Sequence, residues 1–174
     1  MNPTEITLHA DASWHETSRT ASYATLLDDG IDPLPRCGVA PHYIASTTHA
    51  ELFAVVAGME CAILAFPATD ETGALILRRV VVKTDSDNVV MILNGDKRRL
   101  DDIARHLLNR IRATGRDVTA QWVKAHQDPA ASPDAAANNR CDGMARYQLA
   151  RALTLKGVPR DMPAPVDVEE REAA

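Results

Sequence analysis

Four carboxylates interrupt stretches that otherwise read as apolar strand or helix. They are Asp11 in ITLHADASW, Glu51 in TTHAELFAVVAGME, Asp85 in VVVKTDSDNVV and Asp142 in NNRCDGMARYQLA. A lone acid in such a setting costs several kcal/mol unless something pairs with it. Acids cannot neutralise one another, so a bound divalent cation, or two, is the economical explanation. Magnesium and manganese take oxygen ligands and bind through a few carboxylates plus substrate phosphate and water. Two such ions about 3.5–4 Å apart stabilise both the attacking and the leaving oxygen in phosphodiester hydrolysis. Zinc is disfavoured, because no histidine or cysteine pair has its ligand spacing. Singly, each acid has a plain structural explanation; Thr84-Asp85-Ser86-Asp87 could simply cap the next helix. The conjunction is what points to a metal.

These acids need elements to carry them. Residues 5–14 alternate Ile6, Leu8, Ala10 against Thr7, His9, Asp11, which predicts a strand. Residues 19–28 and 37–46 predict two more, joined by the turn-rich DDGIDPLPRCG. A helix capped by Thr47 or Thr48 follows, with an apolar stripe of Leu52, Val55, Val56, Met59 and Ile63 and an end at Pro67. After the PATDETG loop, the β-branched run 76–84 predicts a strand buried on both faces. Helices are expected at about 86–94 and 97–114, divided by Asn94-Gly95 and stopped by Gly115. VTAQWVKA at 118–125 predicts another strand, and 134–155 a last helix. The order βββ-α-β-α-α-β-α predicts an α/β fold on a mixed sheet.

That order places the acids. Asp85 ends a buried strand, at the end of the sheet where open α/β folds bind ligands. Asp11 lies late in the first strand, so the two carboxylates meet if those strands are neighbours. Glu51, expected in the first turn of its helix, shares a row with Val55, Gly58 and Ala62, small enough for close approach to the sheet. Asp142 shares a row with Ala145, Leu149 and Ala152 or Leu153 and so faces inward.

At 174 residues the chain fits one domain, taken as 1–155, with a charged, proline-containing tail (156–174) expected to be disordered. No run is expected to approach the length of a membrane span, and MNPTEITLHAD does not resemble a secretion signal. Cys37, Cys61 and Cys141 lack metal-type spacing and read as free buried thiols in a cytoplasmic protein. The formal charge of −5 argues against tight nonspecific duplex binding. Without the tail the balance is −3, from 16 bases and 19 acids, and two divalent ions would bring it to about +1.

Five motifs, HADAS, TTHAEL, TDSDNVV, WVKAHQD and NNRCDGMAR, resemble the type 1 ribonuclease H family over residues 5–153. WVKAHQD and NRCD carry most of the specificity. The resemblance implies a five-stranded mixed sheet, three antiparallel strands followed by parallel ones, flanked by helices. It also implies endonucleolytic hydrolysis of the RNA strand of an RNA–DNA hybrid, leaving 5′-phosphate and 3′-hydroxyl ends. By motif position, Asp11, Glu51, Asp85 and Asp142 would bind two Mg2+ ions per site, with Mn2+ able to substitute. His126 would be the histidine of a mobile loop that assists proton transfer or product release, a role that suits an imidazole near neutral pH. Ala12, Ser13, Thr47, Thr48, Asn138 and Arg140 fall where substrate contacts are made. Trp122 is expected in the core and His9 and His49 in structural roles, while Trp14 could touch substrate or cover the sheet edge.

The chain departs from the family pattern at several points. Ala12 replaces the usual glycine, Thr47 and Thr48 stand where asparagines are common, and Asp87 falls where glutamine is common. The segment from His126 to Asp142 is long. The basic protrusion is absent, although DKRR (96–99), Arg105, Arg110, Arg112 and Arg116 leave that region cationic. These bases read either as a modest duplex-binding face or as a solvated helix. Two other readings stay open: a nuclease of this fold acting on DNA or single-stranded RNA, and a non-catalytic nucleic-acid-binding module. A monomer without membrane association is expected.

Overall fold

The alternation of residues 5–15 and the unbroken burial of 20–27 reflect two strands at the middle of one sheet. The computed structural model describes residues 5–66, 79–96, 98 and 100–158. Its strands are β1 (Glu5–His15), β2 (Thr20–Asp28), β3 (Leu34–Val39), β4 (Arg79–Thr84) and β5 (Val118–Trp122). Its helices are α1 (Thr47–Ala65), α2 (Asp87–Leu93), α3 (Asp102–Ala113) and α4 (Pro133–Leu155), with a single 3-10 turn at Pro129–Ala131. The sheet order is β3-β2-β1-β4-β5. β1–β2 and β2–β3 are antiparallel, and β1–β4 and β4–β5 are parallel, as the expected mixed sheet requires.

Successive strand residues point to opposite faces, and β1 uses both. Leu8 packs against Gly58 of α1, while the next residue, His9, lies 3.6 Å from Asp134 of α4. α1 therefore covers one face, with α3 packed beside it, and α4 the other. Gly58 permits this approach: a Cβ there would sit 2.4 Å from a Leu8 methyl. On the other face, the Ser22 hydroxyl donates to the Ala145 carbonyl at 2.6 Å. The main core combines β1, β2 and β4 with α1, α2 and α3, and a smaller cluster of Ala24, Leu26, Cys141, Met144 and Ala145 lies under α4.

Several boundaries differ from expectation. The third strand runs over 34–39, not 37–46. It is an edge strand, so Pro35 loses no ladder bond on its open side. The cap of α1 is Ser46, whose side chain accepts from the His49 amide, and neither Thr47 nor Thr48. Glu51 consequently lies in the second turn. Asp101 caps α3 and Ser132 caps α4. Gly95 (φ 104°) and Gly115 (φ 68°) hold the left-handed backbone that ends α2 and α3. β5 stops at Trp122, so the expected strand to 125 is short by three residues. Residues 76–78, the PATDETG loop and the tail from 159 lie outside the described residues.

Two composition readings also change. α1 is long and apolar enough to cross a membrane by length and composition, contrary to the expectation that no run would be. Here it is a core helix, mostly buried between the sheet and α3. Part of the cationic face is paired within the fold, while Arg112 is exposed. Arg98 pairs with Asp96, Arg105 with Asp102, and Arg110 with Glu60 and Tyr43, while Arg116 donates to the carbonyls of Ala62 and Phe66. Lys97 and Arg99 lie outside the described residues. The three thiols are free, with Cys141 buried and Cys37 and Cys61 half-buried.

Candidate active site

The parallel register of β1 and β4 brings the first two acids together. His9 is opposite Lys83, so Asp11 and Asp85, each two residues farther on, arrive at the same level. Glu51 reaches them from the second turn of α1. One carboxylate oxygen from each of Asp11, Glu51 and Asp85 lies within 4.8 Å of the others. Asp11 and Glu51 are only 5% and 6% exposed, and Asp85 is half-buried.

Such a cluster is electrostatically unfavourable by itself. Burial first, then the charges of Asp85 and Asp142, push the Asp11 carboxyl up to about 7, against the opposing hydrogen bond from the Ala12 amide. Burial and the charges of Asp11 and Asp85 hold Glu51 well above the carboxylate range. The buried Glu51 Oε2 has no hydrogen-bond partner. A neutral acid would be one answer to this repulsion. An all-oxygen donor set with an unpartnered buried oxygen also suits a hard divalent cation, which favours the ionised forms.

Asp142, in the third turn of α4, sits at the rim. Its side chain is 25% exposed and accepts from Arg146 at 3.4 Å, while its charge still bears on Asp11. Its oxygens are not among the three that meet within 4.8 Å. The long segment between His126 and Asp142 is mostly helix, because α4 begins at Pro133.

Of the remaining predicted residues, Ala12 and Asn138 bond to acids of this cluster. Asn138 is buried and its Nδ2 donates to Asp85 Oδ2 at 3.4 Å. The Ala12 amide is taken by the carboxylate of Asp11 at 2.7 Å, and Ser13 is half-buried on the same strand. Thr48 accepts from Asn88 at 3.2 Å across the gap between α1 and α2, whereas Thr47 is exposed. Arg140 is half-buried beside Cys141. His126 is exposed with a left-handed φ of 51°, and the next residue's carbonyl accepts from Asn139 of α4 at 2.7 Å. Trp14 is half-buried against the core. His49 meets Asp101 at 2.8 Å, a structural role as expected.

Two features were not read from the sequence. Trp122, expected in the core, is 51% exposed, and its indole donates to the Asp85 carbonyl at 3.1 Å. It is the last residue of β5, an edge strand. The second is Lys83, both of whose 2.7 Å bonds go to Asp134, tying β4 to the first turn of α4. Here a signal existed, since a lysine inside VVVKT must find a partner.

A family profile described as "Reverse transcriptase-like" matches residues 9–127. A sequence comparison with curated proteins finds no match. Among solved structures, the N-terminal ribonuclease H domain of a Mycobacterium tuberculosis protein superposes with a TM-score of 0.67 at 18% identity, covering 88% of this chain and 99% of that one. Ribonuclease H1 of the halophilic archaeon Halobacterium salinarum gives 0.62 at 19% identity, covering 84% and 98%. LC11 ribonuclease H1, from compost metagenomic material and solved in complex with an RNA/DNA hybrid, gives 0.65 at 13% identity, covering 85% and 99%. At these identities the likeness speaks for the fold. The profile match spans more than half of the sequence, and the chain belongs to the reverse transcriptase-like family, with the fold of a type 1 ribonuclease H.

Proposed function

We propose that the protein is an endoribonuclease that hydrolyses the RNA strand of RNA–DNA hybrids, leaving 5′-phosphate and 3′-hydroxyl ends. The observation that carries this is the convergence of Asp11, Glu51 and Asp85, two of them buried, with the Glu51 Oε2 unpartnered. These three and Asp142 would hold Mg2+, two ions per site, with Mn2+ able to substitute. Bound there, the ions supply an activated attacking water and stabilise the charge on the leaving oxygen.

The chain's own residues do the rest. Asn138 and the end of β4 orient Asp85, and the Ala12 amide orients Asp11. As water adds to phosphorus, the bond to the 3′-oxygen breaks and that oxygen takes up a proton. His126 is the group for this proton movement, on a loop tethered to α4 through Asn139. Ala12, Ser13, Thr47, Thr48, Asn138 and Arg140 surround the path a ribose would take, where the 2′-hydroxyl tells RNA from DNA. The hybrid bound by LC11 ribonuclease H1 supports this choice of partner. We place the protein in the cytoplasm, as a monomer.

The test is a panel of labelled substrates, namely hybrid, DNA duplex, RNA duplex and single-stranded RNA, each with Mg2+ or Mn2+. The reading expects cleavage of the RNA strand of the hybrid well ahead of the others. Equal or faster cleavage of DNA or single-stranded RNA would reassign the substrate. In the same assay His126→Ala should lower turnover by about 10²-fold while metal affinity is retained. Loss of metal binding in that variant would show the role misassigned.

A further inference from the structure

The ladder between β4 and β5 runs out at the carboxylate it has to place. Thr84, the last residue of β4, has its carbonyl held by the Val123 amide at 3.0 Å. The next carbonyl along, that of Asp85, accepts from a side chain, the indole Nε1 of Trp122 at 3.1 Å. Two consecutive carbonyls are thus held from the end of β5, one by main chain and one by the tryptophan. β5 is itself fixed on its outer edge, where Asn94 both donates to the Ala120 carbonyl at 3.0 Å and accepts from the Ala120 amide at 3.1 Å. The indole therefore reaches Asp85 from a strand braced on both sides.

A tryptophan that is 51% exposed forgoes much of the stabilisation its ring would gain by burial. What the position retains is the bond to Asp85. We infer that Trp122 is a positioning residue: its indole N–H extends the strand ladder by one step and fixes the peptide that carries the Asp85 carboxylate opposite Asp11 and Glu51. This rests on the reading of those carboxylates as a metal site. A side-chain-to-backbone bond that orients a ligand acts on the ligand's geometry more than on global stability. Removing it is expected to weaken cation affinity by about two- to tenfold.

The alternative for a half-exposed ring beside this cluster is a stacking surface for a nucleobase, and one variant separates the two. Trp122→Phe keeps an aromatic ring and removes the donor. Mn2+ is titrated by calorimetry into the full chain without nucleic acid, and KM for hybrid is measured at saturating metal. The inference expects a two- to tenfold rise in the Mn2+ dissociation constant, an unchanged KM, and an unfolding midpoint in chelator close to wild type. Unchanged Mn2+ affinity with a raised KM would overturn it and assign the indole N–H to the nucleic acid, since the retained ring could still stack. Unchanged affinity and KM would overturn it outright, as would a loss of stability with affinity unchanged. If Trp122→Phe is too unstable to titrate, benzothienylalanine at position 122 removes only the N–H and faces the same criteria. Wild-type protein that binds no Mn2+ would instead sink the metal-site reading and this inference with it, an outcome distinct from equal binding by both proteins.

Discussion

Asp11 and Glu51 show what the cluster demands of single residues. With its folded-state value raised to about 7 from an ordinary 3.8, Asp11 holds its proton more tightly in the folded protein than in the unfolded chain. Its contribution to stability is therefore full below about pH 4 and is lost as pH rises through about 7. In chelator at pH 8, Asp11→Asn is expected to be more stable than wild type by about 1–3 kcal/mol, since it removes a buried charge and keeps an acceptor for the Ala12 amide. Denaturant unfolding checks this, and a variant less stable than wild type under those conditions would contradict it. The same substitution should abolish stabilisation by Mg2+. All four acids were legible because each breaks an apolar run. Trp122 was not, since its neighbours in VTAQWVKA describe a strand equally well whether the ring ends in the core or at the sheet's open end.

At the scale of elements, the position of Glu51 depends on how closely α1 lies on β1. Gly58 sets that distance against the fully buried Leu8 side chain. Gly58→Ala should destabilise the protein by about 1–3 kcal/mol and weaken Mn2+ binding by displacing the helix that carries Glu51. Adding Leu8→Ala should restore part of the metal affinity, because the clash is removed even as core area is lost. Unfolding curves and Mn2+ titrations of wild type, single and double variants test this; a single variant equal to wild type in both would show that α1 is not seated by this contact. The small-residue row of α1, the β-branched β4 and the order of elements were all legible from period and composition. The third strand was misplaced because Leu34-Pro35 reads as loop, and only tertiary context shows that it borders a sheet edge. Ser46, Thr47 and Thr48 are comparable caps by residue type, so spacing alone does not choose Ser46 among them.

At the scale of the whole molecule, the chain carries a net charge of −5, and Arg98, Arg105, Arg110 and Arg116 are engaged within the fold. Two of these pairs are local, Arg98 with Asp96 inside DKRR and Arg105 with Asp102, whereas those of Arg110 and Arg116 reach back to α1 and its end, which spacing alone does not disclose. Such a molecule is expected to hold nucleic acid mainly through its metal site, so cleavage should depend on the divalent ion more steeply than on monovalent salt. If Asp11, Glu51, Asp85 and Asp142 form a metal-dependent cutting site for hybrid, activity must follow both the ion and the acids. The most direct measurement is cleavage of an end-labelled RNA–DNA hybrid by wild type and Asp85→Asn, each in Mg2+ and in chelator. Product is expected from wild type in Mg2+ alone, with chelator and Asp85→Asn both at background. Cleavage that persists in chelator, or that survives undiminished in Asp85→Asn, would contradict it.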